Sequence, residues 1–397
     1  MKKIGWLCIA LLSTHLAFGQ GKKFFEKGTV KLNEFSTQNT KGKGLNEQLS
    51  VRLTNGLPLV EVTIGGESYI FLFDSGAPTV ISNAIYERLG LKPVHEGKVS
   101  DSQNNKSEQV FTVLPDMQLG GLSFTDIGAV VLDLHKSVFG CFKIDGILGA
   151  NQMAKLFWQV NYNDNSAQAT DDLRNFDLTG YDMVLPFETS NQKTPYIKSN
   201  IFGKNLSFTF DTGYTGRFKV ERKYFQVNKA IDYIEMYGAA SVGAYGTAKA
   251  DIGYLFRTNQ LHFDKANLDE ERATTGTSNL IGNDFLKDFS YILDWKNNKI
   301  YLKRIKKSKI EFKSFGFEYL FEENKPKVVS VFKDQQTLQV GDQILSINAI
   351  DLQNLSSEQA CHYLLNRIEK DLDTIAIKIQ RKDEVLELNL TKNTYFD

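Results

Sequence analysis

Two aspartates stand in matching stretches of sequence and could work as a pair. Residues 71–77 read Phe-Leu-Phe-Asp-Ser-Gly-Ala and residues 208–214 read Phe-Thr-Phe-Asp-Thr-Gly-Tyr, which places Asp74 and Asp211 at the same point of each. Two carboxyl groups at hydrogen-bonding distance share one proton in a poorly solvated cleft, because their negative charges repel. The ionised group can accept a proton from water while the protonated group donates a hydrogen bond to a carbonyl oxygen. These residues therefore predict hydrolysis at a carbonyl group that needs neither a covalent intermediate nor a metal.

The sequence around each aspartate is repeated as well. A proline lies sixteen residues before each of them, at Pro58 and Pro195, and an apolar run ending in glycine follows each, at residues 145–149 and 279–282. The chain thus contains an internal duplication of roughly 110 residues with one aspartate in each copy. In both copies the glycine of the Asp-Ser/Thr-Gly motif permits a tight turn, which lets two such loops approach each other closely.

The elements that position the first aspartate follow from the hydrophobic pattern. Residues 57–64 and 69–73 alternate around a Gly-Gly pair, which predicts a β-hairpin with Asp74 at its end. Residues 82–89 predict a short helix with Ser82 as its N-cap. Residues 97–109 are polar, and we expect them to be flexible.

The paired motifs resemble the pepsin and retropepsin superfamily of aspartic proteases over about residues 50–305. The resemblance implies a mainly β fold, with two homologous six-stranded-type acid-protease β-barrel lobes and a cleft between them. It implies that Asp74 and Asp211 form the catalytic dyad and that the residues 147–149 and 280–282 pack beneath the two loops. The residues that it implies as support for the dyad are Ser75, Gly76, Thr212 and Gly213, with each hydroxyl bonding across to the opposite loop.

By this resemblance the substrate is a peptide or protein and no cofactor is needed. Because both lobes lie in one chain, catalysis needs no dimer, and a monomer is expected. The alternative is a catalytically inactive double barrel, in which the two aspartates cap turns and the protein binds peptides or assembles partners. The separation of the two carboxyl groups would distinguish the enzyme from the scaffold.

A different unit follows at the C-terminal end. Residues 341–348 read Gly-Asp-Gln-Ile-Leu-Ser-Ile-Asn, a helix pattern covers residues 357–365, and strand patterns cover residues 374–380 and 385–390. This order resembles a PDZ domain, a small α+β fold, over about residues 312–393.

The PDZ resemblance implies a binding site for peptide C-termini. The N–H groups of the loop at Phe315, Gly316 and Phe317 would bind the terminal carboxylate, and the peptide would lie beside the helix that begins at Ser357. The alternative is a groove filled by the protein's own chain.

Composition and motif content exclude several other classes of function. Lys+Arg and Asp+Glu number 47 each, so no overall field favours nucleic acid or an anionic membrane. The histidines at positions 95, 135, 262 and 362 lack metal-ligand spacing. The sequence contains no Gly-x-Ser-x-Gly elbow, Walker A loop or Rossmann glycine pattern. We therefore expect no metal and no nucleic-acid partner.

The first residues indicate export. A basic start, a short apolar run and small residues before position 20 predict a signal peptide cut near Gly19-Gln20. The apolar run is too short to span a membrane, so we expect a periplasmic or secreted protein. Cys141 and Cys361 fall in different predicted domains, and we interpret both as buried free thiols rather than a disulfide.

The predicted organisation has seven parts. They are a signal peptide at 1–19, a flexible segment at 20–45, the first lobe at 46–164, a connector at 165–182, the second lobe at 183–303, a basic linker at 304–311 and the PDZ domain at 312–397.

Overall fold

The computed structural model describes residues 31–32, 44–100, 106–136, 138–228, 231–239, 242–243, 246–247, 249–263, 266–268 and 270–396. Strands dominate these residues, which confirms the prediction of a mainly β protein. The predicted signal peptide with its cleavage site, and most of the 20–45 segment, lie outside the described residues. Within the described ranges, no helix has the length and apolar character needed to cross a membrane.

The secondary structure falls into three stretches of chain. The first holds β1 Lys31–Leu32, β2 Asn46–Ser50, β3 Arg52–Thr54, β4 Leu57–Ile64, β5 Glu67–Asp74, β6 Val80–Ser82, α1 Asn83–Arg88, β7 Pro93–Ser100, β8 Lys106–Leu119, β9 Leu122–Leu132, α2 Val138–Cys141, β10 Gly146–Gly149, α3 Ala150–Met153 and β11 Phe157–Asn161. The second holds β12 Ser166–Thr170, β13 Met183–Thr189, β14 Pro195–Ile201, β15 Lys204–Phe210, β16 Phe218–Glu221, β17 Tyr233–Gly238, β18 Val242–Gly243, β19 Gly246–Thr247, β20 Asp251–Thr258, β21 His262–Phe263, β22 Ala266–Asn267, β23 Glu271–Gly276, β24 Leu280–Ile281, α4 Asn283–Leu286, β25 Phe289–Asp294 and β26 Lys299–Arg304. The third holds β27 Phe312–Ser314, β28 Phe317–Glu322, β29 Lys325–Phe332, β30 Gln343–Ile347, β31 Ile350–Asp351, α5 Ser357–Leu365, β32 Thr374–Arg381, β33 Glu384–Thr391 and β34 Asn393–Phe396.

We call the part from β3 to α3 the first unit, the part from β14 to α4 the second unit, and the part from β27 to β34 the C-terminal unit. In the first unit, β5 pairs antiparallel with β4, which confirms the predicted hairpin. It also pairs parallel with β10, where Gly149 lies opposite Asp74. Phe71 and Phe73 pack into the main core, whereas Leu72 packs into a second apolar cluster on the other face of the strand. Burial on both faces fixes the end of β5 firmly.

Helix α1 begins where the sequence predicts. The side chain of Ser82 accepts a hydrogen bond from the N–H of Ile85, as an N-cap does. Residues 97–109 differ from the prediction of a flexible segment, because β7 and β8 pair antiparallel there, on either side of the undescribed residues 101–105. Further along β8, Phe111, Leu114 and Met117 are buried in the core. Strand β8 continues from this buried part into the preceding polar residues. Their polar composition alone does not reveal that they belong to a strand.

A sheet of six strands joins the first and second units, in the order β13-β26-β25-β11-β12-β2. Its strand β12 corrects the prediction that residues 165–182 are only a connector. Ala167 and Ala169 are buried on one face of β12, while their neighbours are polar. Two alanines are a weak hydrophobic signal, so the alternation typical of a strand is easily missed.

The second unit repeats the arrangement around its own aspartate. Strand β15 pairs antiparallel with β14 and parallel with β24, where Phe210 lies opposite Ile281. The N–H of Asp211, directly after β15, donates to the carbonyl oxygen of Ile281 at 2.9 Å. Asp211 is therefore held, like Asp74, at the end of a strand between two neighbours.

The C-terminal unit contains the predicted helix, α5, and the two predicted strands, β32 and β33. Its β29 pairs antiparallel with β17, which extends a sheet of the second unit into the C-terminal unit. Leu255 of the second unit packs with Phe312, Phe332 and Phe396 in a shared apolar cluster.

The basic linker at 304–311 lies against the second unit. The N–H groups of Ile305 and Lys306 donate to the carbonyl oxygen of Asp288, at 2.8 and 3.1 Å. The hydroxyl and the N–H of Ser308 both donate to the Asp288 carboxylate. The backbone of this basic segment is therefore held in place by Asp288.

The prediction of two free thiols is wrong. Cys141 in α2 and Cys361 in α5 form a disulfide across a sequence separation of 220, with Cα atoms 4.9 Å apart. The error has a structural cause: the C-terminal unit folds back onto the first unit, and pairing between cysteines in separate domains is not evident from their positions in sequence.

Candidate active site

The structure brings the two Asp-Ser/Thr-Gly loops face to face. A methyl group built on Gly76 would lie 2.6 Å from Cγ of Asp211, and one built on Gly213 would collide with the carboxyl group of Asp74. Each glycine therefore lies against the carboxyl group of the opposite loop, and any larger residue would separate the two loops.

The two hydroxyl side chains bond across between the loops in a reciprocal pattern. Ser75 Oγ donates to the carbonyl oxygen of Phe210 at 2.6 Å, and Thr212 Oγ1 donates to that of Phe73 at 2.7 Å. Each hydroxyl oxygen also accepts the N–H of the other residue, at 2.9 Å from Ser75 N and 3.2 Å from Thr212 N. These four bonds between buried groups fix the relative position of Asp74 and Asp211.

The two aspartates are completely buried, at 0% exposure each. The N–H of Gly76 donates to Oδ1 of Asp74 at 2.7 Å, and the N–H of Gly213 donates to Oδ1 of Asp211 at 2.9 Å. The two Oδ2 atoms are buried, and within the described ranges neither accepts a hydrogen bond from an N–H group or a hydroxyl group. A buried carboxyl oxygen needs a proton or a small donor such as water. The arrangement therefore suits a shared proton and a bound water molecule.

The pKa values of the pair agree with one shared proton. Burial raises the pKa of Asp74 from 3.8 to about 6, although the N–H of Gly76 opposes this shift. Burial and then the charge of Asp74 raise the pKa of Asp211 well above its usual range. A hydrogen bond between the two carboxyl groups lowers the pKa of Asp74 and raises that of Asp211. One group thus holds a proton at a pH at which isolated carboxyl groups would both be ionised.

Apolar strands lie under both loops. In the first unit, Ile147 and Leu148 in β10 lie opposite Leu72 and Phe73, and the N–H of Ala150 donates to the carbonyl oxygen of Ala77 at 2.8 Å. The corresponding strand of the second unit is β24. These residues position the loops through packing and backbone bonds.

A buried asparagine that sequence analysis missed braces the second loop. Asn283 Nδ2 donates to the carbonyl oxygens of Thr212 at 2.6 Å and Gly56 at 2.8 Å, and Asn283 Oδ1 accepts the hydroxyl of Tyr162 at 3.0 Å. In the first unit, Asn151 Oδ1 accepts the N–H of Thr79 at 2.7 Å. In the sequence, the one feature that could have identified these two residues is that an asparagine follows the glycine at the end of each apolar run by one or two positions.

A buried lysine near the second loop was also missed. Lys219 is 2% exposed, and its Nζ lies 4.9 Å from the ring centre of Tyr214. It lies opposite Leu280, just as Val80 lies opposite Ile147 in the first unit, so a cation replaces an apolar residue. The charge of Lys219 lowers the pKa of Asp211, against the larger effects of burial and of Asp74. Strand β16 reads Phe-Lys-Val-Glu, an alternation that predicts a solvated face for Lys219, so no signal in the sequence marked its burial.

The four residues predicted to bind peptide C-termini lie in the C-terminal unit. Phe315, Gly316 and Phe317 stand at the start of β28, where Gly316 has a φ of +79°. Ser357 is near the opposite end of β28, since Asn324 Nδ2 donates to its hydroxyl at 3.2 Å. The N–H of Gly316 donates to the Ser314 hydroxyl at 3.0 Å, so a group expected to bind a carboxylate is bonded within its own loop.

The described residues contain no group of three or more His, Cys, Asp or Glu side chains that could hold a metal ion. An aspartyl protease family model matches residues 60–152. A search of curated proteins finds no match. The matched segment includes β5 with Asp74, the Ser75-Gly76 turn and β10. The first unit is therefore similar to aspartyl protease domains, a similarity that indicates a hydrolase acting on peptide or protein substrates.

Proposed function

We propose that the protein is an exported aspartic endopeptidase with two lobes in one chain and that Asp74 and Asp211 are its catalytic dyad. The observation that carries this proposal is the reciprocal bonding of Ser75 and Thr212 around two buried carboxyl groups. A turn-capping role requires only one local bond per aspartate, whereas four bonds between loops some 135 residues apart serve to align two carboxyl groups.

The reaction follows from the shared proton. The ionised carboxyl group removes a proton from a water molecule held near the two Oδ2 atoms, and that water attacks the peptide carbonyl carbon. The protonated carboxyl group donates a hydrogen bond to the carbonyl oxygen, which stabilises the negative charge that develops there. The proton then reaches the departing amine, and the dyad returns to its singly protonated state.

Two further parts of the proposal rest on other features. Export to the periplasm or the exterior is supported by the signal sequence at 1–19 and by the disulfide, since disulfides persist in oxidising compartments. A monomer is proposed because both aspartates lie in one chain. Binding of peptide C-termini at residues 315–317 and Ser357 stays a prediction from the PDZ resemblance.

Asp74→Asn and Asp211→Asn test the proposal. A neutral amide keeps the shape of the side chain but cannot complete a shared-proton pair, so each variant should lose hydrolysis of a peptide library while its circular dichroism spectrum is unchanged. Cleavage by either Asn variant, in protein freed of contaminating peptidases, would show that the dyad is not catalytic and would favour the peptide-binding scaffold.

A further inference from the structure

The C-terminal unit is fastened to both of the other units. On one side its β29 pairs with β17, and Phe312, Phe332 and Phe396 pack with Leu255 of the second unit. On the other side the Cys141–Cys361 disulfide ties α5 to the first unit. The C-terminal unit therefore bridges the two parts of the protein that supply Asp74 and Asp211.

The end of α5 lies beside the catalytic loops. Asn55 Nδ2 donates to the carbonyl oxygen of Leu365 at 3.2 Å. The neighbouring residue, Gly56, accepts a hydrogen bond from Asn283, whose amide also bonds the carbonyl oxygen of Thr212. One turn of chain, residues 55–56, thus separates the end of α5 from the second catalytic loop.

Leu365 contacts the apolar surface that continues from the first catalytic loop. It packs against the second apolar cluster, which contains Leu57, Leu72, Ala77 and Val80. Ala77 directly follows Gly76 of the catalytic loop. The helix end therefore packs against the apolar cluster to which Ala77 of the first catalytic loop belongs, and the dyad itself is fully buried.

Two backbone groups of the predicted peptide groove are hydrogen-bonded within the C-terminal unit itself. Buried Arg367 donates from Nη2 to the carbonyl oxygen of Tyr319 in β28, the strand beside which a peptide would lie, at 2.7 Å. The N–H of Gly316 is bonded to Ser314. Cys361 of α5, the helix that forms the other wall of the groove, is joined to the first unit.

We propose that the C-terminal unit is an autoinhibitory strap, fastened over the dyad side of the first unit by the Cys141–Cys361 disulfide, and that cleavage of the disulfide admits long substrates. This proposal rests on the proposed protease function. In the opening step a dithiol gives two electrons and two protons to the disulfide, which yields thiols at Cys141 and Cys361 while the dithiol closes to its own disulfide. The β17–β29 pairing keeps the released unit attached to the second unit.

The test compares hydrolysis of an unfolded, fluorescently labelled protein by the oxidised enzyme and by enzyme treated with dithiothreitol. Cysteine occurs three times in the sequence, and the third, Cys8, lies in the predicted signal peptide, so the reductant acts on one disulfide. Release should raise kcat/KM in inverse proportion to the fraction of enzyme already open, about fivefold or more if less than a fifth is open. The Cys141→Ser/Cys361→Ser double variant should match the reduced enzyme and ignore the reductant.

A second variant tests the proposal with the disulfide intact, so that a failure of the double variant to fold does not decide the result. Leu365→Gln keeps the disulfide but weakens the contact with the apolar cluster, so it should also raise kcat/KM. Val385→Gln, at an exposed apolar position of β33, is the matched control and should leave the rate unchanged. Equal rates for oxidised enzyme, reduced enzyme, the double variant and Leu365→Gln would overturn the strap.

Hydrogen exchange separates failure of the strap from failure of the protease proposal. Reduction should speed amide exchange in α2 and α5 but not in β17 and β29. Unchanged exchange in α5 would overturn the strap whatever the activity. Faster exchange in α5 without peptide cleavage in either redox state would show that the disulfide holds α5 in place and would overturn the proposed protease function.

Discussion

Gly76 of the first loop lies directly against the carboxyl group of Asp211 in the second loop. A methyl group at Gly76 would be 2.6 Å from Cγ of Asp211, and Gly213 stands in the same relation to Asp74. Neither glycine has a positive φ, so both are required for space rather than for backbone conformation. The distance between the two carboxyl groups therefore depends on the absence of two side chains.

Gly76→Ala should lower kcat strongly, because the added methyl group pushes the Asp211 carboxyl group away from Asp74. A misplacement of about 1 Å in a catalytic group costs on the order of a hundredfold in rate. Gly253→Ala is the control, since a methyl group there would meet only the flexible Met236 side chain at 3.3 Å and a more distant Thr275 hydroxyl. Steady-state kinetics on a short peptide would measure both variants; wild-type activity in Gly76→Ala would contradict the close approach of the loops.

Thr212→Ala should slow catalysis less than either Asp→Asn change. It removes the bond to the Phe73 carbonyl oxygen and leaves the N–H of Ser75 without its acceptor, so the dyad loses alignment but keeps both carboxyl groups. We expect a fall in kcat of roughly tenfold to a hundredfold with little change in KM. Thr212→Ser keeps the hydroxyl and should restore most of the rate. If Thr212→Ser is as slow as Thr212→Ala, the methyl group of Thr212, rather than its hydroxyl, is what matters.

The buried dyad should make stability depend on pH in a defined direction. The pKa of Asp74 is about 6 in the folded protein and 3.8 without the fold, so the folded state binds the proton more tightly. This contribution to stability is complete below the lower value and is lost as the pH rises through the upper value. The Asp74→Asn variant lacks this titration. Its free energy of unfolding should therefore increase, relative to that of the wild type, by on the order of 3 kcal/mol between about pH 3.5 and pH 7.5.

Urea unfolding of the wild type and Asp74→Asn across this pH range would measure the difference in their free energies of unfolding. Glu61→Gln, an exposed carboxyl group in β4, is a suitable control and should track the wild type. A difference between wild type and Asp74→Asn that stays constant with pH would mean that Asp74 titrates normally in the folded protein.

Lys219→Met should move the alkaline limb of the activity profile to higher pH. The positive charge of Lys219 lowers the pKa of Asp211, so its removal raises that pKa and keeps the dyad singly protonated to higher pH. Lys198→Met, at an exposed surface position paired with Glu188, should leave the limb in place. The measurement is kcat/KM against pH for all three proteins, and an alkaline limb that moves downward in Lys219→Met would contradict the assignment.

The sequence was sufficient to predict the hairpin and the helix that position the first aspartate. Alternation over residues 57–73 predicted the hairpin, and the polar–apolar pattern after Ser82 predicted the capped helix. These elements are determined by local preferences and by burial of one face. The prediction that Asp74 and Asp211 face each other came from the repeated motif, because no local feature of either loop specifies its distance from the other loop.

Features that depend on contacts between distant segments were missed. The Cys141–Cys361 pair requires the C-terminal unit to return to the first unit, and the linker at 304–311 is held by a bond to Asp288. Lys219 resembles a surface residue in sequence because its burial is caused by the packing of the second unit. Charge and polarity indicate where a side chain prefers to be, but tertiary contacts decide where it lies.

The six-stranded sheet between the units has a consequence for the order of folding. Strand β2, at residues 46–50, pairs with β12 at residues 166–170, and β11 pairs with β25 at residues 289–294. Pairings between segments so far apart form slowly, because a long loop must close first. A chain that is still being synthesised lacks β25 until about three-quarters of its 397 residues have been made, so the sheet between the two units cannot close before then. The two loops that carry Asp74 and Asp211 are therefore held together by the complete sheet only after synthesis has passed β25.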